Sequence, residues 1–220
     1  MSERSHPSGD DWADLAEARL LDAALRHVEA LGWTPALVAR AARDAGLSAG
    51  DALLLAPHGA RDLVALLWRR HDRLAFEGLA EVDPASLKIR ERIARGVQTR
   101  IDAAMADEAA VRRATAWLAR PDNALLAGRL GWATADAIWR WAGDTATDEN
   151  HYSKRLILSG VLASVLAARL SRGEEAARET LDRRIGEVMA FEKWKAGLPK
   201  ASASALASWL GGLRYGAGRT

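Results

Sequence analysis

The 220-residue chain contains no cysteine. This absence excludes disulfides, thiolate metal sites and cysteine nucleophiles, and it suits a reducing compartment. Phenylalanine and tyrosine are scarce, two of each, and proline occurs only six times. With Ala, Leu and Arg abundant instead, the composition favours helices over strands. Long hydrophobic runs are also missing. The uncharged stretch 156–168 is well short of the about 20 residues that cross a bilayer. The start, MSERSHPSGDDWADL, has no apolar run for a secretory signal, and its acidic pair suits a mitochondrial presequence poorly. Charge of one sign is not in excess: 31 basic residues face 29 acidic ones, a formal +2, although the pI is about 9.2. That balance argues against strong global attraction to nucleic acid. These features describe a soluble chain with scope for membrane association.

Catalytic patterns are absent as well. There is no G-x-S-x-G, no H-E-x-x-H and no phosphate-cradling glycine loop. The sole E-x-x-H match, Glu3 to His6, falls in an expected disordered tail at 1–10, whereas a di-iron bundle wants two such pairs. His27, His58, His71 and His151 read as polar or packing residues. The expectation is a protein that is not an enzyme and carries no metal or cofactor.

What the chain does have is helical punctuation. A helix is expected over 11–31, ending at Gly32. Thr34 then caps a second helix with Pro35 in its first turn, and Gly46 ends it. Ser48 caps a short third helix before Pro57. Further helices are expected at about 60–82, 86–105, 107–121, 122–142, 147–172 and onward to about 195. The fold class is all-α. It divides into a helix-turn-helix-like part at 11–75, a larger helical ligand-binding bundle at 76–196, and a C-terminal amphipathic helix at 198–215.

The first three helices, RLLDAALRHVEALGWTPALVARAARDAGLS, resemble the start of the TetR repressor family. In that family the third helix reads the major groove. Here that segment is SAGDALLLAP, with one Asp, three consecutive leucines and no base, which suits DNA poorly. On the helix expected at 86–105, Lys88, Arg90, Arg92, Arg95 and Arg100 form a basic face opposite Ile89, Ile93, Val97 and Ile101, read as solvated, with contact to phospholipid or an acidic protein as the alternative.

The most unusual stretch is DAIWRWAGDTATDENHYSKR, residues 136–155. At 100° per residue, Arg129, Asp136 and Arg140 fall within about 40° of one another, with Trp132 and Trp139 about 20° apart on the shoulder of that polar stripe. Tryptophans beside charges are common at protein contacts and membrane interfaces, and core packing is the alternative for each of them. In the following helix Gly160, Ala163, Ser164 and Ala167 line one face with small side chains. They either admit a neighbouring helix closely or leave a hollow for an elongated lipid.

The segment IWRWAGDTATDENHYSKR, with LDRRIGEVM at 181–189, resembles the ubiquinone-biosynthesis accessory family, the ninth Coq protein. The pattern A-G-D-x-x-T-D-x-N-x-Y-x-(K/R)-R spans Ala142 to Arg155, and the likeness extends over about 16–215. The resemblance implies a TetR-like fold without DNA binding, a homodimer, and an apolar cavity for isoprenoid or quinone-like lipid. It also implies presentation of quinone intermediates to a di-iron hydroxylase. Asp136, Asp148, Tyr152 and Arg155 match the family's partner-facing residues, and His151 stands where eukaryotic relatives carry Trp. Ile138, Trp139 and Ala142 fall in the lipid-contacting region.

The C-terminal segment LPKASASALASWLGGLRYG places Ala201, Ala205, Trp209 and Leu213 on one side of a helix, with Leu210 adjoining. Trp209, Leu210 and Leu213 are the expected membrane contacts; a terminal helix packed on the domain or on a second subunit is the alternative. The combined expectation is a non-enzymatic lipid-binding accessory protein, cytoplasmic and peripheral on a bacterial inner membrane, with no nucleic-acid partner. A TetR-type ligand-responsive regulator and a helical scaffold without ligand are the other readings.

Overall fold

The structure, a computed structural model, describes the backbone of residues 9–145 and 149–196, with side chains from Trp12 to Thr145 and from His151 to Val188. Among these residues every regular element is helical. The α-helices are α1 (Gly9–Leu25), α2 (Val28–Leu31), α3 (Pro35–Asp44), α4 (Ala49–Leu55), α5 (Ala60–Gly78), α6 (Ile89–Met105), α7 (Glu108–Leu118), α8 (Ala124–Trp141), α9 (Glu149–Arg172) and α10 (Glu174–Ala196).

Local chemistry explains the breaks. Thr34 accepts from the Leu37 amide and Pro35 opens α3, a stop-and-start that needs no tertiary help. Ser48 and Asp51 form a reciprocal capping box at α4. Gly46, between α3 and α4, has φ 67°, a conformation that side chains with a Cβ resist. The helix expected over 11–31 instead divides at Arg26–His27. There His27 Nε2 meets Asp44 Oδ2 on α3 at 2.5 Å, so a tertiary contact fixes the break. Helix α1 also begins at Gly9, inside the tail expected at 1–10; residues 1–8 and the C-terminal segment 198–215 lie outside the described residues.

The core runs continuously from Leu20, Leu37 and Leu67 in the first half to Val97, Ile138, Val165 and Leu181 in the second. The long helix α9 packs mainly against α10 and α8, and α5 against α6. Helices α6 and α8 approach closely at Gly96, where an added Cβ would come within 2.8 Å of Ile138 Cγ2. No described helix is long and apolar enough to cross a membrane.

Helix α4 is the segment whose sequence was set against a DNA-reading helix. It presents Leu53 and Leu54, 65% and 76% exposed, and no basic residue.

Candidate functional site

The corner between α8 and α9 is held by charge. Arg155 is buried to 1% exposure. Its Nε donates to Asp136 Oδ1 at 2.9 Å and its Nη1 to Asp144 Oδ2 at 2.6 Å. Asp136 also pairs with the exposed Arg140 at 2.8 Å, and Asp144 with Lys154 at 2.6 Å. Burial alone would raise the Asp144 carboxyl, but hydrogen bonds from Lys154 and Arg155 hold it below its ordinary value. Burial opposes the charge on Arg155, and the two carboxylates more than offset it, raising its pKa. Arg155, expected at a partner surface, is thus a buried clasp. A guanidinium sharing two carboxylates in a water-poor corner gains more by staying inside than by facing solvent.

Aromatic groups surround the clasp. Trp139 Nε1 donates to the Lys154 carbonyl at 3.1 Å, and the Lys154 ammonium lies 5.2 Å from the Trp139 ring centre. Trp132, His151 and Tyr152 form a cluster with ring separations of 6.4, 6.0 and 5.3 Å. Tyr152 is 65% exposed. Asp148 lies outside the described residues.

Two apolar cavities adjoin α9. The first, about 310 Å³, lies between α6, α8, α9 and α10. Its walls include Ile93, Trp139, Ile157, Leu158, Val161 and Ile185, and Ile89, Arg90 and Ser153 lie exposed at its rim. The second, about 480 Å³, lies between α5, α6, α7, α8 and α9 and includes Trp68, Arg100, Gly131, Leu156, Gly160 and Ala163.

The residues expected to bind lipid are therefore divided. Trp139 faces the first cavity, and Gly160 and Ala163 face the second. Ile138 and Ala142 are buried at 1% and 0% and line neither cavity; Ile138 is taken up by its contact with Gly96. Ser164 donates to the Val161 carbonyl, and Ala167 is exposed.

Arg100 also departs from its expected solvated face. It is 4% exposed, with Nε donating to Asp72 Oδ1 at 2.5 Å and its guanidinium carbon 5.5 Å from the Trp68 ring centre. The signal was available, because Arg100 follows Ile93 by seven residues and so shares its side of the helix within about 20°. Arg92 likewise turns inward, donating to the carbonyls of Leu87 and Ala142. Asp144, given no role from sequence, ties the corner together. No group of three or more His, Cys, Asp or Glu able to hold a metal occurs among the described residues.

Comparison with known proteins adds a family. The COQ9 family model matches residues 125–192, a span holding α8, the corner, α9 and most of α10. The resemblance is to the COQ9 family. The chain is 29% identical over 149 residues to the mitochondrial ubiquinone biosynthesis protein COQ9 of Bos taurus, covering 65% of this chain and 47% of that protein. It is 27% identical over 180 residues to the Rattus norvegicus protein of that name, covering 78% and 58%. For the Xenopus tropicalis COQ9 protein the figures are 26% over 195 residues, 82% and 60%. The chain thus spans about half the length of the curated relatives it matches. The COQ9-like segment contains the clasp, the aromatic cluster and the α9 walls of both cavities.

Proposed function

We propose that the chain is a non-enzymatic accessory protein of ubiquinone biosynthesis that holds an isoprenoid or quinone-like lipid and presents it to a di-iron hydroxylase at a membrane. The observation that carries this reading is the first cavity: an apolar hollow with Trp139 in its wall, directly beside the α8–α9 corner. Its volume, about 310 Å³, is at the small end of the roughly 300–1,000 Å³ of ligand sites. It would enclose part of a long isoprenoid, leaving the remainder to pass the rim at Ile89. Burial of the enclosed part would contribute about 25 cal/mol per Å² of apolar surface before the costs of association.

Partner docking falls to the exposed side of the corner. Tyr152, with Trp132 and His151 behind it, offers an aromatic contact of the kind enriched at interfaces. Asp136 and Arg155 hold that contact in place from below. The C-terminal segment 198–215 supplies membrane attachment, and the protein acts as a homodimer on the cytoplasmic face of a bacterial inner membrane. The leucines of α4 favour this over a TetR-type regulator, whose reading helix needs cationic or hydrogen-bonding side chains.

Solvent extraction of the purified protein followed by mass spectrometry tests the reading. Isoprenoid lipid in near-stoichiometric amount is expected. Lipid no higher than in a mock purification would sink it.

A further inference from the structure

A third hollow, a groove of about 780 Å³, runs between α3, α4, the start of α5 and the end of α7. Trp33, Val38, Leu47, Ala52 and Trp117 form its apolar lining, and Leu53 stands on its wall. Trp33 is 4% exposed and Leu53 65%, with Leu54 next to it at 76%. The apolar surface thus runs from a recessed floor to a projecting edge, and continuous exposed apolar surface of this kind marks interaction sites. The lining residues all fall between 33 and 122, ahead of the segment at 125–192 that matches the COQ9 family. What binds here does not depend on the isoprenoid reading.

Charge at the rim selects the occupant. Arg43, Arg61 and Arg120 line the groove, with Asp122 as the one carboxylate among its described lining residues. Arg120 pairs with Asp122 at 3.3 Å, and Arg61 donates to the Asp122 carbonyl at 2.9 Å. Arg43 is exposed and has no ion pair among the described residues; the adjacent Asp44 is taken by Arg40 at 3.1 Å and by His27 at 2.5 Å. An apolar floor edged by cations that lack carboxylate partners is the complement of an amphipathic helix with acids beside its apolar stripe. The chain's own C-terminal residues have the wrong charge for it: 197–220 contain Lys200, Arg214 and Arg219 and no acid. Nucleic acid would meet leucines where it needs hydrogen-bonding groups. A bilayer would reach the projecting leucines and leave the recessed floor uncovered.

We propose that this groove docks an amphipathic helix of a partner protein, whose apolar face packs over Val38, Leu47 and Leu53 and whose carboxylates meet Arg43 and Arg61.

The test is fluorescence polarisation of the full chain with a labelled, stapled helical peptide of about four turns. It carries leucines at i, i+3, i+4 and i+7 and glutamates on either side; a second peptide has lysine in place of every glutamate. Saturable binding of the glutamate peptide is expected, with the lysine peptide about tenfold weaker or more. Leu53→Asp, at an exposed position that folding tolerates, should weaken the glutamate peptide about tenfold. Arg43→Glu should weaken it about fivefold and tighten the lysine peptide, a reversal that a general loss of structure would not give. No binding of the glutamate peptide, equal binding of the two peptides, or unchanged binding in Leu53→Asp overturns the proposal. Ile157→Trp, which fills the first cavity, should leave binding unchanged; loss there would put the peptide in the lipid cavity and overturn it. Binding to duplex DNA or to phosphatidylglycerol vesicles that Leu53→Asp abolishes, or a dimer that it dissolves, assigns the groove to another occupant and overturns it too.

Discussion

Replacing Arg155 with Met removes the cation that joins Asp136 on α8 to Asp144 in the turn before α9. Breaking a buried ion pair by deleting one member costs about 3–5 kcal/mol, because the other member stays buried without its partner. Here each abandoned carboxylate keeps one cation: Asp144 keeps Lys154 at 2.6 Å and Asp136 keeps Arg140 at 2.8 Å. Both remaining cations are more exposed than Arg155, at 36% and 74%, so they compensate only in part. The loss should therefore fall at the lower end, about 3 kcal/mol. For a chain of this size that is a fall in Tm of about 6–12 °C. Arg155→Lys should lose about 1–2 kcal/mol, since one ammonium cannot serve two carboxylates in the geometry of a guanidinium fork. Urea unfolding followed by circular dichroism reads both values from the midpoint, provided the slope is unchanged. A loss below about 1 kcal/mol for Arg155→Met is what a solvent-exposed pair gives. That result would refute the buried clasp and return Arg155 to the surface.

Tyr152→Ala, at an exposed position, should change stability by less than about 0.5 kcal/mol while weakening hydroxylase capture about thirtyfold or more, as loss of a central aromatic contact does; a quantitative pull-down checks this. Gly96→Ala should cost about 1–3 kcal/mol through its clash with Ile138, and adding Ile138→Val should recover part of it in the same unfolding assay. His71 is wholly buried and bonded to Asp107 at 2.9 Å. Burial lowers its pKa from 6.5 more than the Asp107 hydrogen bond raises it. The unfolded chain thus takes up the proton first, so stability from this group is complete above pH 6.5 and is lost as pH falls through the lower folded value. His71→Gln should flatten that part of the stability profile in urea melts collected from pH 7.5 to 5.

Much of the fold was legible because its boundaries are written in local chemistry. Thr34–Pro35, the Ser48 cap and Gly46 mark ends that each act within a few residues. The break at His27 was not legible, because it depends on Asp44 on another helix. The site divides in the same way. Periodicity placed Trp132 and Trp139 together beside the charges and marked Gly160 and Ala163 as small. It could not show that the tryptophan and the small residues open onto different cavities, which depends on how α5, α6 and α10 pack around α9. Arg155 was matched to a surface role by its place in the family motif, while its burial follows from Asp136 and Asp144 converging across a turn. Arg100 shows the opposite case: helical spacing placed it with Ile93, and its charge alone suggested solvent.

Native mass spectrometry with a ubiquinone analogue bearing two isoprene units tests the central claim most directly. The wild-type chain should hold one analogue molecule, and Ile157→Trp, which fills the first cavity from α9, should lose it while keeping the wild-type charge-state distribution of a folded protein. An unliganded wild-type chain, or an Ile157→Trp variant that binds as well as wild type, would contradict the assignment of that cavity to isoprenoid lipid.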